Sequence, residues 1–401
     1  MKRYWILLAN EPVLRRLSMI QTVAYFGAWF SNVAIYTLLI DLGTDPKTIA
    51  LVAALHFLPG VFQAPLSGVM TDRFSPKTLM LIVTLVEIGC TLMLIRVDSV
   101  SMLGLLYALV FIRMGASSFH FTVEMSLLPR ILEGRKLQTA NEIHSIIWSL
   151  SYTFGMAVSG LVVYWVGVKT AFLLDATLFV IVLFLISGLR IETVFVKSAT
   201  KLVKMMFEAF AYVRDNPLVL KLMILHAVIG VTAFDALIAL AAERYYADVV
   251  AISLGIGLMN AARAFGLVIG PVVLGHWVNN ERLIWLLVAE ALAIFAWAWC
   301  IEHFYYALVA SVVVGFVTTT LWSYTYTLLQ HHTDSKYYGR VVAYNDMIFL
   351  GTSAGISILI GILAQANISL RWITIILGSF FLLAALYYKY VRRTHELQEI
   401  G

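Results

Sequence analysis

Six ionisable side chains stand inside long apolar runs of the sequence: Glu87, Arg113, Asp175, Asp235, Arg263 and Glu290. At the centre of a bilayer an ionised group costs at least about 2.5–3.5 kcal/mol on insertion scales, so each is a candidate for function. Two kinds of chemistry suit such groups. One is a static ion pair that ties helices together. The other is proton exchange: a buried carboxylate keeps a proton when isolated and releases it when an arginine comes near. At about 1.5 Å per residue, Arg113 lies roughly 18 Å from the outer end of its run and Asp235 roughly 10 Å from the outer end of its own. A direct pair requires Arg113 to reach outward, and Arg263 is an equal partner for Asp235.

Other chemistry is thinly represented. Glu124 and Glu142 fall near run ends, where they suit a gate or loop pair with Arg130, Arg135 or Lys136, or simple interfacial charges. His331 and His332 have no third ligand at metal-binding spacing, and no metal or cofactor is expected. The chain has no H-E-x-x-H, no G-x-S-x-G and no phosphate-binding P-loop, so an enzyme is not expected. Aromatic and hydroxyl residues crowd two runs, with Tyr25, Phe26, Trp29, Phe30 and Tyr36 beside Asn32 in the first, and Thr318, Thr319, Thr320, Trp322, Tyr324 and Tyr326 in the tenth. Such walls suit an amphipathic or aromatic ligand, and aromatic belts at a membrane interface use the same residues.

The elements that position these groups follow from composition. Hydrophobic residues make up 61% of 401 positions and charged residues 13%, against roughly 45–50% and 25% in soluble domains. Apolar windows of about 20 residues, the length that crosses a hydrocarbon core, recur near 17–41, 48–71, 78–96, 100–122, 139–166, 169–190, 219–242, 251–278, 283–302, 303–330, 340–364 and 369–391. That is an all-α membrane protein of twelve spans.

With the N-terminus inside, the inner segments hold 21 Lys and Arg and the outer segments five, namely Lys47, Arg96, Lys169, Arg244 and Arg371. This bias places both termini in the cytoplasm. The net charge of +5 is thus a topology signal, and no nucleic-acid partner is expected. Cys90 and Cys300 sit in apolar runs without partner spacing. The basic N-terminal stretch has no cleavable leader pattern, so the first span is expected to direct insertion.

The polar interval 191–216 spaces Lys197, Lys201, Lys204, Glu208 and Arg214 as an amphipathic surface helix would, or as a solvated linker would. The halves it joins look alike. Glu11-Pro12-Val13-Leu14-Arg15-Arg16-Leu17 parallels Asn216-Pro217-Leu218-Val219-Leu220-Lys221-Leu222, and Thr139-Ala140-Asn141-Glu142 parallels Ala343-Tyr344-Asn345-Asp346. The expected domains are a six-helix bundle over 1–190, a cytoplasmic linker over 191–214 and a second six-helix bundle over 215–401. Glycines at 155, 160, 266, 270, 351, 355 and 361 permit close helix approach.

Between spans 2 and 3 stands Gly68-Val69-Met70-Thr71-Asp72-Arg73-Phe74-Ser75-Pro76-Lys77. This resembles the signature G-x-x-x-D-R-x-G-R-R of the major facilitator superfamily, at the corresponding loop, with Ser75 and Pro76 departing from it. The second copy, Gly275-His276-Trp277-Val278-Asn279-Asn280, keeps only the glycine. Ser126-Leu127-Leu128-Pro129-Arg130 with Leu137-Gln138-Thr139-Ala140-Asn141 resembles the branch of enterobactin exporters and macrolide efflux pumps. Arg113, four residues after Leu109, is similar to the arginine of the drug-antiporter signature, although Gly115 follows it too closely.

The resemblance implies two bundles around a cavity lined by spans 1, 4, 7 and 10, in a bacterial-type inner membrane. It promotes Arg113 and Asp235 over Glu87 and Glu290, which lie on the peripheral spans 3 and 9. It also assigns a cytoplasmic latch to Gly68, Asp72, Arg73, Lys77 and Arg340. The implied function is proton-coupled export, by a monomer, of a small amphipathic molecule such as a siderophore, a metal chelate or a drug-like compound. The other reading is a facilitator-type importer or lysolipid transporter. Asp235, Arg113, Arg263 and Glu124, with Tyr25, Trp29, Asn32, Trp322 and Tyr324, are the expected coupling and cavity residues.

Overall fold

The computed structural model describes residues 2–63, 70, 74–189, 202–334, 336–395 and 397. The described chain is helical throughout: α1 (Lys2–Asn10), α2 (Pro12–Asp41), α3 (Pro46–Leu55), α4 (Pro76–Leu94), α5 (Leu103–Ile131), α6 (Gly134–Ser187), α7 (Leu202–Asp215), α8 (Pro217–Ala227), α9 (Asp235–Ala241), α10 (Ile252–Leu274), α11 (Leu283–Cys300), α12 (Phe304–His331), α13 (Tyr338–Gln365) and α14 (Leu370–Thr394). Starts follow local chemistry. Pro12, Pro46, Pro76 and Pro217 each occupy the first turn of their helix, where a missing N–H costs nothing. The Asp45 carboxylate accepts the Thr48 amide at 2.7 Å to cap α3, filling one of the donors a helix start leaves open.

Among the described residues ten helical stretches are long and apolar enough to cross a membrane. One of these, Arg135–Ser187, is 53 residues long, which at about 1.5 Å per residue is far more than one crossing. It is two spans joined at Gly167, whose φ of 81° breaks the helical path without a Cβ penalty. The expected second span begins as α3 and resumes over 58–63, and its remainder lies outside the described residues. The fold is an all-α, multi-pass membrane architecture.

Packing forms two compact units. Met1–Gly43 groups with Pro65–Ala199, and Thr44–Ala64 groups with Thr200–Gly401. In the first unit α2 packs along α6, and α4 packs on α5 and α6. In the second, α10 packs on α12, α11 on α12 and α14, and α3 on α13. Closeness there depends on small residues: a Cβ at Gly270 would sit 1.9 Å from the Phe316 carbonyl, and one at Gly361 would sit 2.3 Å from Ala50 Cβ. At Gly351 and Gly355, by contrast, a Cβ would meet nothing within 4 Å, so these two do not serve the close approach expected of them.

The described part of the 191–216 interval is helix α7, which belongs to the second unit. Tyr212 stacks on Tyr337 at 4.5 Å, the Tyr344 hydroxyl donates to the Met206 carbonyl at 3.0 Å, and Arg340 lies 3.7 Å from Glu208. Phe207 and Phe210 face outward, Phe207 being 70% exposed. The helix is amphipathic and docked on α13, which a freely solvated linker would not be.

Candidate intramembrane charge site

Helix α5 carries Arg113, His120 and Glu124 at i, i+7 and i+11, a spacing that puts all three on one stripe. All three are buried. Arg113 Nη2 meets Asp175 Oδ2 at 2.9 Å, with 1% and 0% of the side chains exposed. Its Nε donates to Thr91 Oγ1 at 3.1 Å and its Nη2 also to the Gly27 carbonyl at 3.4 Å. The Ser31 hydroxyl donates to the same Asp175 oxygen. A buried pair is favoured when its remaining donors and lone pairs are met; Asp175 Oδ1 has no hydrogen-bond partner among the described residues, while α2 and α4 supply partners to Arg113 and to Asp175 Oδ2. Gly27 makes this possible, since a Cβ there would stand 2.8 Å from Asp175 Oδ1. The acid that Arg113 meets is Asp175, one of the six charges standing in apolar runs. Asp175 lies on α6, 62 residues from Arg113 along the chain, and spacing along the sequence does not select it.

Two turns along α5, His120 sits between two carboxylates. Its Nδ1 is 3.4 Å from Glu87 Oε2 and its Nε2 is 3.5 Å from Glu124 Oε1. The Tyr25 hydroxyl donates to the other Glu124 oxygen at 2.6 Å. A neutral imidazole has one N–H and one lone pair, and an ionised carboxylate only accepts. With both carboxylates ionised and the ring neutral, one carboxylate would face a lone pair. The trio is relieved by one more proton, on the ring or on a carboxyl. This is a proton-holding arrangement by its donor and acceptor count alone.

Glu124 is thus a fully buried group and not the interfacial charge that its position near a run end suggested. Glu87, set aside as peripheral, faces α5. His120 was not singled out in the sequence at all, although its place four residues before Glu124 and seven after Arg113 marks it as a member of the same stripe.

The second unit handles its charges differently. α8 ends at Ala227, the chain tightens into a 3₁₀ turn over Val228–Thr232, and α9 starts at Asp235. The break frees backbone carbonyls at membrane depth, and Arg263 Nη1 donates to that of Thr232 at 2.6 Å while its guanidinium lies 5.7 Å from the centre of the Phe234 ring. Glu290 is buried, accepts the Thr318 hydroxyl at 2.7 Å and lies within electrostatic reach of Arg263. Asp235 is half-buried and its Oδ1 has no hydrogen-bond partner among the described residues. No Asp235–Arg263 ion pair stands among the described residues; Arg263 instead bonds the Thr232 carbonyl, which also accepts the Phe234 amide at 2.8 Å.

Aromatic groups gather in each unit. In the first, Trp29 lies 4.4 Å from Tyr152 and 5.8 Å from Trp148 between ring centres, and His144 stands edge-on to Tyr25 at 5.7 Å. Asn32 is buried. In the second, Trp322 and Tyr326 stack at 5.0 Å, and His226 packs within 5.7 Å of Trp322, Tyr326 and Phe349. Trp322 is 39% exposed. Tyr324 does not share that face. Two residues on a helix point to nearly opposite sides, and its hydroxyl donates to Asn280 Oδ1 at 2.8 Å as a buried anchor. His144 and His226 are further buried groups that sequence reading passed over.

Of the expected latch, Gly68, Asp72 and Arg73 lie outside the described residues. Lys77 Nζ donates to the Ser187 carbonyl at 2.5 Å, and Arg340 reaches Glu208 and the face of Tyr337.

Comparison with known proteins gives this arrangement a family. The Major Facilitator Superfamily profile matches residues 17–255. The uncharacterised MFS-type transporter YfiS of Bacillus subtilis (strain 168) is 30% identical over 174 residues, 43% of this chain and 41% of that protein. YkuC of the same organism, also an uncharacterised MFS-type transporter, is 24% identical over 291 residues, 66% of each chain. The matches span less than two thirds of either relative's length. Among solved structures, the nucleoside transporter NupG superposes with a TM-score of 0.74 at 14% identity over 95% of this chain and 99% of that one. A D-xylose-proton symporter does so with 0.73 at 10% identity over 93% and 96%. The profile match over more than half of the sequence and the shared all-helical fold lead to one conclusion: this chain belongs to the Major Facilitator Superfamily, a family of membrane transporters and not of enzymes.

Proposed function

We propose that the protein is a secondary transporter that exports a small amphipathic molecule in exchange for protons, with the proton held by the Glu87, His120 and Glu124 cluster. The observation that carries this reading is His120 set between two buried carboxylates, one of them also bonded to Tyr25. Three groups that compete for the same protons, inside a span and screened from water, can accept or release one when access changes from side to side. Two turns away along α5, Arg113 is paired with Asp175 of α6. Asp235, the residue the sequence favoured for this task, is the second candidate, on the other unit.

The rest of the reading belongs to the same proposal. Export rests on the resemblance of the 126–141 segment to efflux carriers. Six-span bundles over 1–190 and 215–401 and cytoplasmic termini are supported by the charge bias and the repeat, and a plasma-membrane location and a monomeric state by the family resemblance. The exposed Trp322 beside Tyr326, and Trp29 beside Tyr152, supply flat apolar surface for a planar substrate. The latch role of Gly68, Asp72, Arg73, Lys77 and Arg340 rests on the resemblance of the 68–77 segment to the family signature.

The test uses inverted membrane vesicles with an imposed pH gradient and a panel of fluorescent planar amines. Uptake should follow the gradient in the wild type and collapse with a protonophore. Gradient-independent movement of every compound that the protein carries would overturn proton coupling.

A further inference from the structure

We propose that the groove between the start of α2 and the end of α6 binds the headgroup of an anionic phospholipid. A cavity of about 650 Å³ opens there, with Arg15 and Arg16 in its wall beside Val13, Met19, Leu185 and Leu189. All of these residues lie in the first unit.

Arg16 is seated for the task. Its Nε donates to the Leu185 carbonyl at 2.7 Å, which aims the rest of the guanidinium over Gly188, where a Cβ would stand only 1.9 Å from Nη2. The fork is held by backbone and its outer N–H groups are left for a ligand. Arg15 is exposed beside it. Among the described residues neither arginine has a carboxylate within ion-pair distance, and the acid nearest in sequence, Glu11, is taken by Lys136 at 2.7 Å. Lys77, bonded to the Ser187 carbonyl, adds a third positive charge to the same end of α6. Guanidinium forks match phosphate oxygens two at a time, and more closely than an ammonium does.

A soluble phosphate would satisfy the charges and leave the walls wet. Met19 is 51% exposed, and the apolar run of α2 begins at Leu17, so the groove straddles the boundary between headgroups and hydrocarbon. A phospholipid satisfies both halves, its phosphate on the arginines and its acyl chains on Val13, Met19 and Leu185. Basic pockets between spans at a membrane surface recruit anionic lipid in this way.

The full-length protein, purified in a lipid-free detergent, is titrated with phosphatidylglycerol or with phosphatidylcholine of the same acyl chains, and bound lipid is counted by native mass spectrometry. Phosphatidylglycerol should be retained in preference, and Arg15→Gln with Arg16→Gln should weaken its retention about thirtyfold, about fivefold for each charge removed. Met19→Glu, at an exposed position that should not disturb folding, leaves both guanidiniums in place and should also weaken retention by adding an anion to the apolar wall. Equal retention of the two lipids, or unchanged retention in both variants, would overturn the site. Displacement of the lipid by an equal concentration of glycerol 3-phosphate would overturn its assignment to a lipid. None of these readouts depends on transport, so the outcome is separate from that of proton coupling.

Discussion

Glu87 in the first unit and Glu290 in the second stand 203 residues apart, close to the 204- and 205-residue offsets between the parallel segments of the two halves, and each is buried in its third span. Their partners differ. Glu87 faces a histidine that also faces Glu124, whereas Glu290 accepts a threonine hydroxyl and lies near an arginine engaged with a backbone carbonyl. A carboxylate opposite a titratable ring can trade protons with it. A carboxylate beside a guanidinium and a hydroxyl has no titrating neighbour, so any proton it gains or releases must come from or go to water. The same scaffold position thus meets a titratable ring in one unit and a hydroxyl with a nearby guanidinium in the other.

The largest effect expected from breaking this contrast is on stability. Arg113→Ala leaves Asp175 buried without its cation, and loss of one partner of a buried pair costs about 3–5 kcal/mol. Arg263→Ala removes a hydrogen bond to one carbonyl and a more distant charge, a loss of about 1–3 kcal/mol. Thermal unfolding of the purified variants ranks them, and an Arg263→Ala loss equal to or above that of Arg113→Ala would erase the difference between the units.

Next in size is the effect on coupling. Glu124→Gln should abolish gradient-driven transport and flatten its pH dependence while leaving exchange of bound substrate measurable. Glu290→Gln should keep the wild-type pH profile. If Glu290→Gln or Asp235→Asn flattened the profile and Glu124→Gln did not, the proton would belong to the second unit.

A third pair sharpens the reading of α12. Trp322→Ala should raise KM several-fold through loss of stacking area, worth about 0.5–1.5 kcal/mol for an aromatic pair. Tyr324→Phe should leave KM unchanged and lower stability by about 1 kcal/mol, the usual loss for one hydrogen bond. The smallest effect is topological: a cysteine placed at Asn10 should stay unlabelled by an impermeant thiol reagent added to intact cells, and should function as wild type does.

The spans were legible because hydrophobic length is written continuously along the chain. Arg113 and Glu124 were legible as charges in apolar runs, but their partners were not. Which carboxylate meets Arg113 depends on how α2, α5 and α6 are rotated about their own axes, and a glycine at position 27 decides that rotation by admitting Asp175 to the seam. Glu87 was set aside because its span was assigned to the periphery, yet a peripheral helix still turns one stripe inward. His120 escaped notice because a single histidine carries little signal until the stripe it shares with Glu124 is drawn. The docking of α3 on α13 left no mark in the sequence that spacing alone could recover, since it joins segments some 300 residues apart.

The interruption of the seventh span at Val228–Thr232 has a mechanical meaning. A continuous helix transmits a twist along its whole length, whereas α8 and α9 are two short rods meeting at a joint. Arg263 acts as a pin in that joint, fastened from a neighbouring helix through a bond to Thr232. α8 packs on α12 and α13, whereas α9, with Asp235 at its head, packs on α3, α10 and α13, so the rods on either side of the joint answer to different neighbours.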